Sequence, residues 1–379
     1  MRKMSRAVAL ALAGTLVLSA CGDAPEEEPT DTDTEATDAG DDGDAEATDD
    51  GGEGEQAAES DVKACLITDQ GGVDDGSFNE TAYDGLVRAE EELGVEIQYL
   101  ESTSETDFEP NMQQFVQQGD CDLIIPVGFL LAEATASAAE ANPEQNFAIV
   151  DFPNAFGEEG TSFDNVLGLT FNTSEAAFLA GYAAAATSET GTLGTYGGIN
   201  IPTVTIFMDG FLAGANHYNE ETGGDVEVIG WDGSDGQFTG NFESLDDGRR
   251  ITESLLDNGA DTILPVAGPV GGGSAAAIED RGEGRLIWVD TDGYESTDFG
   301  DMIFTSILKQ MDVAVFDAIQ AVVDGEFEGG DYVGTLENEG VDIAPFHDFE
   351  DEVPDDVKST LDELRQGIID GDIATDPNA

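Results

Sequence analysis

Short apolar runs alternate along this chain with stretches in which hydrophobic residues recur every three to four positions. The first run, Val62–Ile67, has strand length; after it Tyr83, Leu86, Val87 and Leu93 fall at helical spacing, and Gly94 closes the segment. Val95–Leu100 predicts a second strand, followed by a polar helix carrying Met112, Phe115 and Val116. Leu123–Val127 predicts a third strand, an Ala-rich helix covers 132–141, and Phe147–Val150 predicts a fourth strand that closes on Asp151. Val166–Phe171 is the fifth. From Ser174, a helix with Phe178, Leu179 and Tyr182 opens a second series, with strands near Thr192–Tyr196, Val226–Trp231, Thr262–Val266 and Leu286–Val289. Its helices are expected at about 203–218, 246–256 and after Gly273. Ile303–Ile307, a helix over 312–323, the strand-like Tyr332–Leu336 and a charged helix over 353–370 finish the chain. Alternation this regular predicts an α/β protein with parallel sheets covered by helices. Two similar Rossmann-like series, with late segments crossing back, predict two lobes, a hinge and a ligand cleft between them. The expected lobes are 61–172 plus about 292–330, and 173–291 plus about 331–379.

The amino terminus changes the picture. Arg2, Lys3 and Arg6 precede the apolar run Ala7–Leu18, which is too short for a stable membrane span and has the layout of a signal peptide. Leu18-Ser19-Ala20-Cys21 follows and resembles the lipobox of bacterial lipoproteins. That resemblance implies cleavage after residue 20, lipidation of Cys21 and a protein held on the extracytoplasmic face of the cell membrane. Residues 22–60 carry 17 acidic residues and no Lys, Arg or aromatic, so they bury too little to fold and are expected to form an extended, disordered linker.

Charge narrows the partners. The chain has 83 acidic and 12 basic residues, and 66 acidic against 9 basic remain once leader and linker are set aside. Such an excess excludes nucleic acid, and leaves the lipid anchor as the only membrane attachment. It also predicts a halophilic or salt-tolerant source, because self-repulsion opposes compactness until salt screens it within about 3 Å at molar strength. The melting temperature is expected to climb steeply with salt; a nearly flat salt profile would contradict this reading.

The candidate chemistry lies between the first strand and the first helix, in Thr68-Asp69-Gln70-Gly71-Gly72-Val73-Asp74-Asp75-Gly76-Ser77-Phe78-Asn79. Loops at the carboxyl ends of strands bind ligands in open α/β sheets. This one combines two adjacent glycines, three carboxylates, a ring and an amide. Catalytic signatures are missing. The two histidines, His217 and His347, have no metal-ligand spacing, no Gly-x-Ser-x-Gly elbow exists, and Gly271-Gly272-Gly273-Ser274 lacks the lysine of a phosphate loop. No enzyme, cofactor or metal is expected. Cys65 and Cys121 each sit in or beside a strand, and two readings stay open: a disulfide if those strands are neighbours, or two buried thiols.

The loop signature resembles the opening of the basic membrane protein family, lipoprotein nucleoside-binding subunits of ABC importers. Further matches follow in the family's order: Pro126-Val127-Gly128-Phe129, Phe147-Ala148-Ile149-Val150-Asp151 and Phe178-Leu179-Ala180-Gly181-Tyr182. Gly197-Gly198-Ile199-Asn200-Ile201-Pro202-Thr203-Val204 with Phe207, Asp290-Thr291-Asp292 and Thr305-Ser306-Ile307-Leu308-Lys309 complete them. The resemblance implies the type I periplasmic binding protein fold, acting as a monomer with an ABC permease and ATPase as partners and a purine nucleoside as ligand. Phe78 then stacks on the base from the first lobe and Phe207 from the second, with Phe211 as the substitute. Asn79 and Asp151 are placed to meet the base edge; Asp69 and Asp290, with Asp292, to accept ribose hydroxyls. Lys309 reaches the sugar side and balances nearby carboxylates, and Gly268 offers backbone. Gly76 stands where the family usually has Lys, and Gly293 where it generally has Gln, which bears on fine specificity. A sugar or other small polar solute, or a sensory role without transport, are the competing functions.

Overall fold

The computed structural model describes residues 60–378. The leader, Cys21 and nearly all of the acidic linker lie outside the described residues. The chain runs β1 (Lys63–Gln70), α1 (Phe78–Leu93), β2 (Glu96–Ser102), α2 (Phe108–Gln118), β3 (Leu123–Pro126), α3 (Ala132–Ala141), β4 (Asn146–Val150) and β5 (Val166–Phe171). It continues α4 (Thr173–Thr187), β6 (Thr192–Gly197), α5 (Pro202–Thr222), β7 (Glu227–Ile229), α6 (Leu245–Asp257), β8 (Thr262–Val266), α7 (Gly271–Arg281), β9 (Arg285–Asp290), α8 (Gly293–Ser296) and β10 (Ile303–Lys309). Last come α9 (Met311–Asp324), β11 (Gly330–Gly334), β12 (Val341–Ile343) and α10 (Asp355–Ile369).

Two six-stranded sheets result. The first has the order β2-β1-β3-β4-β5-β11 and is parallel throughout; the second has the order β7-β6-β8-β9-β10-β12, with only β12 antiparallel. The first five strands of each sheet therefore follow one plan, and β5 and β10 occupy equivalent places. Central strands are apolar because helices cover both of their faces: Ala64–Ile67 in β1 and Leu123–Ile125 in β3 are wholly buried. Cys65 in β1 and Cys121, just before the neighbouring β3, are joined by a disulfide with their Cα atoms 5.9 Å apart. Among the described residues no helix is long and apolar enough to cross a membrane.

The crossings between lobes fall later than the sequence suggests. The strand at 303–309 was expected with the first lobe, yet β10 pairs with β9 in the second sheet. The chain crosses only after Lys309. It then lays α9 against α1, with the Arg88 guanidinium 4.0 Å over the Phe316 ring, and adds β11 to β5. The first lobe is thus 60–172 plus 310–334, and the shifts from 292 to 310 and from 331 to 335 follow from strand pairing, which has no local signature. The three crossing chains are bound to one another. Asn172 N–H donates to the Gly334 carbonyl at 2.8 Å and Gln310 N–H to that of Gly340 at 3.0 Å. Leu336 N–H donates to Glu175 Oε2 at 2.8 Å.

Candidate functional site: a charged aromatic cleft between the lobes

Loops at the carboxyl ends of strands in both sheets converge on one cleft, about 550 Å³ with its mouth included. Even as an upper bound, that space suits one small molecule rather than a peptide or oligosaccharide. Its aromatic walls are Phe78 and Phe129 from the first lobe, and Phe207 and Phe242 from the second. Phe78 opens α1 and Phe207 lies one turn into α5, so each ring is carried on a rigid helix.

The floor is ionic. Asp69 ends its apolar run in β1, Asp151 follows β4 and Asp290 closes β9, while Lys309 is the last residue of β10. Asp151 and Asp290 take the left-handed backbone conformation, with φ of 63° and 73°, which turns the chain sharply at equivalent strand ends. Lys309 Nζ lies 2.5 Å from Asp151 Oδ2 across the lobe boundary and 3.8 Å from Asp290 Oδ1. It also faces three rings, with its Nζ 4.8 Å from the centroid of Phe78, 5.5 Å from that of Phe171 and 5.7 Å from that of Phe207. The aliphatic stem runs through apolar surroundings while the ammonium remains paired. Lys309 and the three aspartates are all buried.

Asp75 works differently. Its carboxylate accepts backbone N–H groups of Ser77, Asn79 and Glu80, and so caps the start of α1. Asn79 spans the two first-lobe carboxylates, its Nδ2 donating to Asp69 Oδ1 and to Asp75 Oδ2 at 3.1 Å each. That fixes the amide, and leaves Asn79 Oδ1 buried without a partner in a residue that lines the cleft. An acceptor in this state suits a ligand N–H or O–H. Gly128 gives Asp69 its room: with φ of 113°, a Cβ there would meet Asp69 Oδ2 at 2.5 Å. Gly268 lines the opposite wall, also left-handed at φ 53°.

Burial raises all four carboxyls above their ordinary range. Desolvation leads in each case; the Asn79 hydrogen bond opposes it at Asp69, and Lys309 opposes it at Asp151. Asp290 is pushed up to about 6, chiefly by desolvation, with Lys309 pulling it down and Asp151 adding to the rise.

The lobes also touch directly. Ser77 Oγ donates to Asp290 Oδ2 at 3.0 Å, and the Gly76 carbonyl accepts from Trp288 Nε1 at 3.1 Å and Ser296 Oγ at 3.3 Å. These contacts join the two lobes beside the cleft.

Of the residues singled out in the sequence, Asp69, Phe78, Asn79, Asp151, Phe207, Gly268, Asp290 and Lys309 line this cleft. Asp292 does not. The turn at Asp290 carries it away, where it caps α8 through Tyr294 N–H and pairs with His347 Nε2 at 2.7 Å. Asp151 keeps its place in the lining with its Oδ2 on Lys309 Nζ. Phe211 is core, its carbonyl pressed against Gly181 of α4. Asp75, Phe129 and Phe242 join the cleft without having been assigned. Asp75 and Phe129 lay within recognised motifs, whereas Phe242 sits in an irregular loop with no periodic signal.

Comparison with known proteins agrees with this architecture. Residues 62–374 match the model of the family described as ABC transporter substrate-binding protein PnrA-like (Bmp). An uncharacterized lipoprotein of Pyrococcus abyssi is 33% identical, covering 81% of this chain and 78% of that protein. The ABC transporter nucleoside-binding protein BmpA of Lactococcus lactis subsp. cremoris is 32% identical over 83% of this chain and 89% of its own. Among solved structures, an ABC transporter solute-binding protein of Aeropyrum pernix superposes with a TM-score of 0.74 at 30% identity, covering 83% of this chain and 92% of that one. Substrate-binding proteins of ABC transporters are not themselves enzymes. The chain belongs to the Bmp family of PnrA-like ABC transporter substrate-binding proteins.

Proposed function

We propose that this protein captures a purine nucleoside in the interlobe cleft and delivers it to an ABC permease and its ATPase, as a monomer tethered outside the cell membrane through lipid on Cys21. The observation that carries this reading is the pairing of Phe78 and Phe207, one from each lobe, around a floor of buried carboxylates and the unpartnered Asn79 Oδ1. Flat apolar faces suit a base; carboxylates accept from a sugar diol; the amide oxygen accepts from the base edge. Four carboxylates against one ammonium oppose a phosphate, which favours a nucleoside over a nucleotide. The nucleoside-binding name of the Lactococcus relative supports the same ligand class.

Thermal unfolding in high salt tests it, with inosine, guanosine, adenosine, uridine, a nucleoside monophosphate, ribose and galactose as separate arms. A ligand at 100 times its Kd is expected to stabilise by about 2.7 kcal/mol. Purine nucleosides are expected to shift the transition and the monophosphate to leave it unmoved. A shift with free sugars alone would replace the nucleoside by a sugar. Phe78→Ala is expected to remove about 1–3 kcal/mol of binding, roughly fivefold to over a hundredfold, with unfolding still cooperative. Unchanged affinity in that variant would place the base elsewhere.

A further inference from the structure

Four carboxylates close on the cleft and one ammonium faces them. Two of the four are well compensated: Asp151 by Lys309 at 2.5 Å, and Asp75 by three backbone N–H groups at the start of α1. The other two are not. Asp69 accepts only from the Asn79 amide, and its remaining charged neighbours are Asp75, Asp151 and the more distant Lys309. Asp290 accepts from the Ser77 hydroxyl, stands 3.8 Å from a Lys309 already engaged by Asp151, and faces Asp151 and Asp75 as like charges. Both are only 7% exposed, so full ionisation would leave under-compensated negative charge out of water.

We propose that ligand capture releases protons: without ligand the cleft holds a proton on Asp290 and another on Asp69, and the hydroxyls of a bound diol take their place as donors. The proposal rests on the nucleoside reading for the identity of the diol, but its first half concerns the empty protein alone. When a ligand O–H donates to a carboxylate, the anion is stabilised and its proton leaves to the buffer. Affinity therefore rises with pH wherever the empty site is protonated and the filled one is not. For Asp290 that window closes near pH 6, where the empty group itself ionises. Asp69, also raised by desolvation, adds to the same trend.

Two measurements on the full-length protein in high salt separate the halves. The first follows the carboxylic C=O infrared band of the empty protein from pH 4.5 to 7.5, beside Asp290→Asn. A protonated carboxyl that titrates near pH 6 and is missing from the variant is expected; no difference between the two proteins would overturn the proposal. The second is calorimetry with inosine at pH 5.5 in two buffers of different ionisation enthalpy. Release of one to two protons is expected, with affinity rising up to tenfold per pH unit for each proton. Heat that is independent of buffer, with affinity flat from pH 4.5 to 7, would equally overturn it. Should inosine, guanosine and adenosine all give no heat while the infrared difference is present, the nucleoside reading falls and the proton on Asp290 stands. The wild-type band titration keeps the test decisive if the variant does not fold.

Discussion

Replacing Lys309 by methionine is expected to destabilise the protein by about 3–5 kcal/mol at pH 7.5, the usual cost of stranding a buried charge. The substitution keeps the length of the stem and its contact with the Phe78, Phe171 and Phe207 rings but removes the ammonium. Asp151 then loses its 2.5 Å partner, and Asp290 loses the cation at 3.8 Å. The sign of the pH dependence follows from the carboxyls. Their folded-state values already lie above the unfolded ones, and loss of Lys309 raises them further. Stability from such groups is fully present below the unfolded value and is lost as pH rises through the folded one. The gap between variant and wild type is therefore expected to be widest at pH 7.5 and to shrink towards pH 4.5, where both aspartates take up protons instead. Denaturant unfolding at the two pH values checks this. A cost below about 1 kcal/mol at pH 7.5 would mean that the cleft stands open and wet in solution, with water doing the work of the lysine.

Reducing the Cys65–Cys121 bond is expected to cost about 4 kcal/mol. The two residues are separated by 56 positions, and closing a loop of that length removes roughly this much chain entropy from the unfolded state. The bond sits at the amino-terminal ends of β1 and β3, away from the cleft, so ligand affinity is expected to survive in the folded fraction. Denaturant midpoints with and without reductant measure the first effect; calorimetry of the alkylated protein measures the second. Equal midpoints would show that the bond does not restrain the unfolded chain beyond its own residual structure.

The elements were largely legible because the central strands are buried apolar runs and helices such as α1, α2, α6 and α10 carry a 3.6-residue stripe, both local properties. Lobe membership was not. Ile303–Lys309 reads as a buried strand in either sheet, and only its pairing with β9 and β12 decides. The cleft residues show the same division. Asp69, Phe78 and Asn79 fall in one recognisable loop, and strand-end logic reached Asp151 and Asp290. Asp292, two residues further, has the same local context, yet the left-handed turn at Asp290 sends it to a helix cap and His347. Phe242 was invisible because the loop that carries it is placed by long-range bonds: Gly197 N–H donates to Gln237 and Thr239 N–H donates to Gly197.

The shared plan of the two sheets has a consequence at the ends of β5 and β10. Phe171 and Lys309 occupy corresponding positions, each followed by one residue and then a helix, α4 or α9. They meet near the middle of the molecule, with the ammonium 5.5 Å from the ring. A molecule made of two identical halves would place the same side chain at both. Two lysines there would repel each other, and two phenyl rings would leave Asp151 and Asp290 facing each other without a cation. Identity between the halves is therefore forbidden at this one spot, however closely the rest of the framework repeats. The broken match between Phe171 and Lys309 also makes the two ends of this framework unlike each other: a buried ring closes β5 and a buried ammonium closes β10.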